Sequence, residues 1–458
     1  MNAPLDAMDL VALADAIVAG DITAQAVTAA ALSRAQAVTP LNAFVRIDAD
    51  GAMEAARAAD QRRAAGAPLG LLHGVPLAHK DMFYRAGRIT GCGSKIRGDF
   101  VAETTCDLLT RLDDAGAIEI GQLHMAEFAM GPTGHNAHLG RCRNPWLADA
   151  ITGGSSSGSG AAVAARVVAG ALGSDTGGSV RLPAHFCGVV GLKPTHGRLT
   201  QADMMPLSES LDTAGPLARS SRSVARLMDV LTGDAVHEAA LRSDLRGMRV
   251  GILDADDLGE CDKPVLNALT EAAHTLADLG AQVVPVRLPD LAHYAAMAAL
   301  VWAPEAAALH LPTLRDHADD YGPQVRNRLM HGLSMPATHY VQARRLRSCD
   351  LAAFLSGPMA GLDAIALPTC RMVTPMAHDA DADAGAAMDT VIGGLSALTR
   401  GFSYLGVPGL VTPMGFDSRG LPMGLQLIGA PRAEATLCAI GHAYESATNW
   451  LARPLPLL

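Results

Sequence analysis

The sequence predicts an α/β fold, a mixed and largely parallel central sheet covered by helices. Three observations carry this reading. Short apolar runs at Leu71–Lys80 and Ile118–Gly121 flank a helical pattern over Asp107–Ala115, and strand–helix alternation of this kind marks α/β proteins. The same order returns at Arg249–Leu253, Pro264–Leu279 and Val283–Val286. Hydrophobic residues make up 49% of the 458, which is enough for a large core.

The elements follow in order. Leu10–Val18 and Ala24–Val38 place apolar residues at helical spacing, with Thr23 an N-cap for the second. Ala52–Ala65 reads as a third helix, polar on one face through Glu54, Arg57 and the Arg62-Arg63 pair. Residues 1–70 are thus a helical scaffold. Residues 71–220 hold the first strand–helix unit, a loop over Leu139–Pro145, a central Gly/Ser-rich stretch, and polar turns through Pro206 and Pro216. A helix over Ser221–Leu231 opens a lobe, 221–397, expected to lie over the site. In it Leu291–Asp350 is helical without recognisable chemistry, Asp363–Pro368 is a buried strand, and Asp379–Asp389 is an acidic, Ala-rich loop. Residues 398–458 return to the core through a hairpin of Leu410–Phe416 with Met423–Ile428 and a closing helix, Ala433–Thr448. There is no internal repeat, and the whole chain reads as one domain.

Composition excludes several classes. A net charge of -10 argues against nucleic acid as a direct partner, since such binding leans on basic surface. The eight cysteines are scattered with no C-x-x-C pair and read as reduced thiols of a cytoplasmic protein. No basic stretch followed by an apolar core suggests a secretory signal. No uncharged apolar run is long enough for a bilayer, because the nearest, Ala161–Gly173, carries Arg166. No membrane association is expected.

The stretch from Ile151 to Thr195 organises the chain. Two Gly/Ser clusters, Gly153-Gly154-Ser155-Ser156-Ser157-Gly158 and Ser174-Asp175-Thr176-Gly177-Gly178-Ser179, bracket an Ala/Val-rich segment of helical length. They can therefore meet at one end of it, crowding unhindered N–H groups and hydroxyls into a small volume. A phosphate cradle of the P-loop kind needs a lysine directly after the last glycine, and neither cluster has one. The intervening run is too apolar for a flexible linker. The remaining reading is an oxyanion hole, in which Thr176, Gly177, Gly178 and Ser179 present N–H groups to a tetrahedral adduct at Ser179. No G-x-S-x-G elbow points to a histidine-based triad.

These residues resemble the amidase signature family. The resemblance lies in Gly153-Gly154-Ser155-Ser156, in Gly173-Ser-Asp-Thr-Gly-Gly-Ser-Val-Arg181 and in Cys187-Gly-Val-Val-Gly-Leu-Lys-Pro-Thr195. It extends upstream to Gly74–Asp81 and Met125–Gly131, and downstream to Gly406-Val407-Pro408 and Gly420–Gly429. The resemblance implies a serine–cis-serine–lysine triad, with Ser179 the nucleophile, Ser155 the bridging serine after a cis peptide bond, and Lys80 the base. Chemistry supports the lysine independently, because burial favours the neutral amine that can accept a proton. The apolar run Gly74–Ala78 would carry Lys80 inward. Met130, Gly131 and Ser156 are expected near the substrate. The family commonly has Gly-Gly-Ser-Ser-Gly-Gly-Ser at the first cluster, and here Ser157 replaces the first glycine of the second pair. If that position has positive φ, serine strains it, and it adds a hydroxyl near the relay.

Other candidates are weighed beside these. His135 and His138, with His124 upstream, sit at i, i+3 in a Gly-rich loop, not at the i, i+4 spacing of helical zinc pairs. No metal and no other cofactor is expected. Strand alternation points His79 away from the side Lys80 faces, as a structural histidine. Met125, Phe128 and Met130 suit core and pocket border equally. Asp175 and Arg181 read as a supporting buried ion pair. Arg344, Arg345 and Arg347 could hold a substrate carboxylate, but the solvated face of a helix is preferred.

Three functions follow. The first is a self-sufficient amidase acting on a small polar amide, as a homodimer by the resemblance. The second is the glutaminase subunit of a tRNA-dependent amidotransferase, which would require partner subunits. The third is a non-catalytic binding subunit, against which the joint retention of Lys80, Ser155 and Ser179 weighs. Aromatic residues are only 4% of the chain, which favours a small substrate over a lipid amide, although nineteen methionines could line an adaptable apolar pocket.

Overall fold

The computed structural model describes residues 8–380 and 385–455. Eleven strands form one sheet, in the order β1 (Phe44–Ile47), β3 (Ile118–Leu123), β2 (Pro76–Lys80), β4 (Gly170–Ser174), β6 (Ala214–Ala218), β5 (Val190–Lys193), β10 (Gly409–Phe416), β11 (Pro422–Ile428), β9 (Ala364–Pro368), β7 (Arg249–Leu253) and β8 (Gln282–Val286). Four of the ten neighbouring pairs are parallel, in the blocks β3-β2-β4 and β9-β7-β8, and the six others are antiparallel. The mixed α/β sheet agrees with the sequence, while the expected weight toward parallel pairing holds only in those two blocks. They are where the strand–helix alternation was legible; the middle is built from the predicted antiparallel hairpin β10–β11 and from β5 and β6, which carried weak signals. Every residue of β2, β4, β5, β6, β9 and β11 is buried, as in strands covered on both faces.

Predicted helices are present with ends moved by one to three residues. Thr23 caps Ala24–Ala37 by accepting from Ala26 N at 3.0 Å, which satisfies one of the amides a helix start leaves open. Segment 221–397 is not simply a lobe over the site, because it supplies β7, β8 and β9 to the far end of the sheet. Its covering part is three helices, Leu291–His317, Pro323–Ser334 and Ala337–Ser356. The expected acidic loop is partly helical, over Ala377–Ala380 and Gly385–Leu395, and residues 381–384 lie outside the described residues.

The largest difference falls in the central stretch. Ala161–Gly173 is not one helix. The helix is Ser157–Ala164 and begins inside the first Gly/Ser cluster, the chain reverses near Arg166 (φ 58°), and Gly170–Ser174 is β4. A Gly-Ala-Leu-Gly-Ser strand carries no β-branched signal. Its glycines are required by packing, since a Cβ at Gly173 would lie 2.7 Å from Ser156 Oγ. β2 and β4 run parallel in register, His79 opposite Leu172, so their carboxyl ends emerge together. The helix of the first cluster starts beside them, and ligand sites in open α/β sheets lie at such ends.

Candidate active site

Lys80 is the last residue of β2 and Ser174 the last of β4. Lys80 Nζ is 2.8 Å from Ser174 Oγ and 2.7 Å from Ser155 Oγ. Only 1% of the lysine is exposed. Burial pushes its pKa down to about 7, against the opposing pull of Asp212 and Asp175, so a neutral amine is accessible at ordinary pH. His79 points elsewhere, accepting from Leu172 N at 3.3 Å.

Ser155 follows a cis peptide bond from Gly154. Gly154 has no room for a side chain, since a Cβ there would lie 2.2 Å from the Gly131 carbonyl oxygen. The first cluster is thereby pressed onto the 129–132 loop. Ser156, expected near the substrate, does not line the cavity at Ser179. It is fully buried and exchanges bonds of 3.2 Å with both backbone groups of Ser174, which fastens one cluster to the other. Ser157 has no positive φ; it begins the helix, and its hydroxyl lies 2.9 Å from His124 Nδ1. The strain considered for this replacement does not arise, and the added hydroxyl is spent on His124.

The second cluster turns around Asp175. One carboxylate oxygen accepts Gly178 N at 2.7 Å and the other Val180 N at 3.1 Å. Arg181 closes on the same carboxylate through Nε at 3.0 Å and Nη2 at 2.9 Å, both groups being wholly buried. Burial alone would raise the Asp175 pKa, but Arg181 and these N–H donors outweigh it and hold the carboxyl at about 2. The remaining Arg181 donors reach Thr399 O, Gln426 Oε1 and Ser403 Oγ. The expected supporting ion pair is therefore present and fully bonded.

Of the four N–H groups expected to form an oxyanion hole, Gly178 is already committed to Asp175. Among the described residues, those of Thr176, Gly177 and Ser179 have no protein acceptor. Thr176 Oγ1 donates to Asp212 Oδ1 at 2.5 Å, and Thr399 Oγ1 donates to the Gly177 carbonyl at 2.6 Å. Gly178 has φ 133°, and a Cβ there would lie 2.4 Å from Thr399 Oγ1, so glycine is required on both counts. Ser179 makes no side-chain hydrogen bond among the described residues and lines a cavity of about 60 Å³ with Met130, Gly131, Thr176 and Gly177. Met130 and Gly131, expected near the substrate, both line this cavity. Met125 is core, and Phe128 packs its ring on His310 at 4.4 Å.

Sequence reading missed several residues. Ser174 lies within the signature, yet nothing local marked it as a partner of the lysine. Asp212 and Thr399 lie in turns that carried no motif. Trp302, Arg328 and Arg400 line the Ser179 cavity and an adjoining one of about 350 Å³, although the helices bearing the first two read as devoid of chemistry. Nothing local set them apart from the other residues of those helices. His124 is spent on Ser157 and Gly140 O, and His138 on Glu127. No cluster of three metal-ligating side chains occurs among the described residues. No described helix is long and apolar enough to cross a membrane, and all eight cysteines are free.

Comparison with known proteins finds relatives along nearly the whole chain. The A subunit of the glutamyl-tRNA(Gln) amidotransferase of Roseiflexus sp. is 37% identical over 475 residues, 96% of each chain. A solved amidase structure superposes with a TM-score of 0.88 at 34% identity, covering 96% of this chain and 99% of that one. The native peptide amidase of Stenotrophomonas maltophilia superposes at 0.85 with 30% identity, covering 99% of each. The amidase family model matches residues 26–438, a span that takes in the buried lysine and both clusters, so the chain belongs to the amidase family and is an amide-hydrolysing enzyme.

Proposed function

We propose that this enzyme cleaves the C–N bond of a small carboxylic amide through an acyl-enzyme on Ser179, with Ser155 and Lys80 as its proton relay. The observation that carries the reading is the buried Lys80 amine, 2.7 Å from Ser155 Oγ and brought to about 7. Neutral Lys80 takes the Ser155 proton while Ser155, both donor and acceptor, takes that of Ser179. Ser179 Oγ then bonds to the amide carbon. The N–H groups of Gly177, Ser179 and Thr176 are the candidates to bind the developing oxyanion, each well-placed donor supplying about 3–4 kcal/mol. The relay returns its proton to the leaving nitrogen as the C–N bond breaks, and water then releases the acid from the Ser179 ester. Treatment with a sulfonyl fluoride should label Ser179, read by peptide mass spectrometry. A label on another serine sinks the assignment.

The pH dependence follows in sign. The neutral lysine is the active form, so kcat/KM rises as pH passes through about 7 and levels off above it. Asp81 and Lys193 are each brought by burial to about 7 as well, but neither is hydrogen-bonded to Ser155 or Ser179. A rate falling with pH across this window would exclude Lys80 as the base.

Support for a small, polar substrate comes from the limited cavity at Ser179, about 60 Å³, and from Arg328 and Arg400, which line both it and the adjoining cavity. Specificity should fall as the acyl chain lengthens. A steady climb in kcat/KM toward ten-carbon amides, as methylenes find apolar surface, would overturn this.

A second reading, the amide-cleaving subunit of a tRNA-dependent amidotransferase, is favoured by relatives that are named as such a subunit. The purified chain discriminates the two. Ammonia release from simple amides without other subunits supports the self-sufficient amidase, and activity only with partners supports the amidotransferase role.

A further inference from the structure

A second cavity, of about 520 Å³, lies between helix Leu291–His317, helix Ala337–Ser356 and the loop from His196 to Ser210. Arg344 and Arg345 are exposed, as the solvated-face reading expects, but Arg347 is half-buried and turned into this cavity. Its Nη1 donates to Ser210 O at 2.7 Å. Among the described residues no carboxylate lies within 4.0 Å of its guanidinium.

The acid that could neutralise it is committed elsewhere. Glu305 Oε1 accepts from Ser210 Oγ, Tyr340 OH and Arg344 Nη1, and Oε2 accepts from Ser208 Oγ and Ser210 N. Glu209, also at the wall, is exposed and pairs with neither arginine. A mostly desolvated guanidinium with unspent donors is costly until an anion meets it.

We infer that this cavity binds a small monocarboxylate with a short apolar body, its carboxylate on Arg347 and its body against Leu207, Ala308 and Leu309. The placement of charge selects the class. Arg344 is already paired with Glu305, which leaves Arg347 to take a ligand carboxylate, while Glu209 and Glu305 at the same wall oppose a second negative charge. Planar carboxylate also matches the guanidinium fork. The occupant would touch the active-site loop, because Leu207 lines both cavities, and the Leu207 and Ser208 amides donate to the Asp212 carboxylate that holds Thr176.

Calorimetric titration of the full chain with butyrate at constant ionic strength tests this, and it needs no catalytic turnover. One saturable site is expected, weakened about tenfold or more in Arg347→Gln and kept within a few fold in Arg347→Lys, as loss or retention of a charge-assisted bond predicts. Arg328→Gln, in the Ser179 cavity, should leave it unchanged. Absence of saturable binding overturns the inference, as does loss in Arg328→Gln in place of Arg347→Gln, or tighter binding of inorganic phosphate than of butyrate. Should Arg347→Gln fail to fold, butyrate must protect Arg347 of the unaltered chain from phenylglyoxal; unprotected modification of Arg347 counts equally against the site.

Discussion

Lys80→Met should lower kcat/KM by about 10⁴-fold or more, the scale on which losing one member of a nucleophile–base unit is felt, while leaving the fold intact. The two halves of this expectation have one cause. Burial that brings the lysine to about 7 is a cost the native state bears, because it removes a cation from water. Methionine fills similar space without that cost, so the melting temperature should hold or rise. Ser155 and Ser174 each lose a partner at 2.7 and 2.8 Å, a loss set against the desolvation that the cation no longer bears. Activity should be followed by ammonia release and stability by thermal unfolding of the same preparation. A variant that keeps a tenth of the activity would show that another group takes the Ser155 proton. A variant that has simply unfolded would be recognised by its melt and would leave the pH profile to decide.

How much of this was legible in sequence depends on the kind of signal each residue carries. Lys80, Ser155 and Ser179 could be singled out because glycine-rich clusters and an apolar run into a lysine are local features that the family resemblance joined, and the fold brings Lys80 onto Ser155. The Asp175–Arg181 pair was readable for the same reason, both partners being within a few residues of Ser179. Ser156 was misplaced because adjacency in sequence says nothing about which way a side chain faces at a tight turn; it looks back into β4 and away from the cavity. Gly178 was counted as an oxyanion donor because nothing in sequence shows that an Asp three residues earlier has taken its N–H at 2.7 Å. β4 was lost inside a predicted helix since Gly-Ala-Leu-Gly-Ser is strand only by virtue of its neighbours β2 and β6. Trp302 and Arg328 come from helices whose faces are assigned by packing at long range, so their place at the cavity had no local signature.

The second large effect concerns stability and the shape of the Ser179 loop together. Arg181→Met should destabilise the fold by about 3–5 kcal/mol, the usual consequence of leaving one member of a buried ion pair unmatched. Asp175 and Arg181 are both 0% exposed, so no solvent can replace the guanidinium. Thr399 O, Gln426 Oε1 and Ser403 Oγ lose their donor at the same time. Removing the aspartate as well does not restore an apolar core, because the Gly178 and Val180 amides then lack their acceptor. The double variant Asp175→Leu/Arg181→Met should therefore be no more stable than the single, unlike an isolated buried pair replaced by well-packed apolar residues. Denaturant midpoints of the singles and the double give the coupling, and the rate of sulfonyl fluoride labelling at Ser179 reports the loop. If the double recovers wild-type stability, Asp175 serves only to balance Arg181. If labelling also stays at the wild-type rate in the double, the carboxylate does not hold the Ser179 loop, and its bonds to the Gly178 and Val180 amides are incidental to the site.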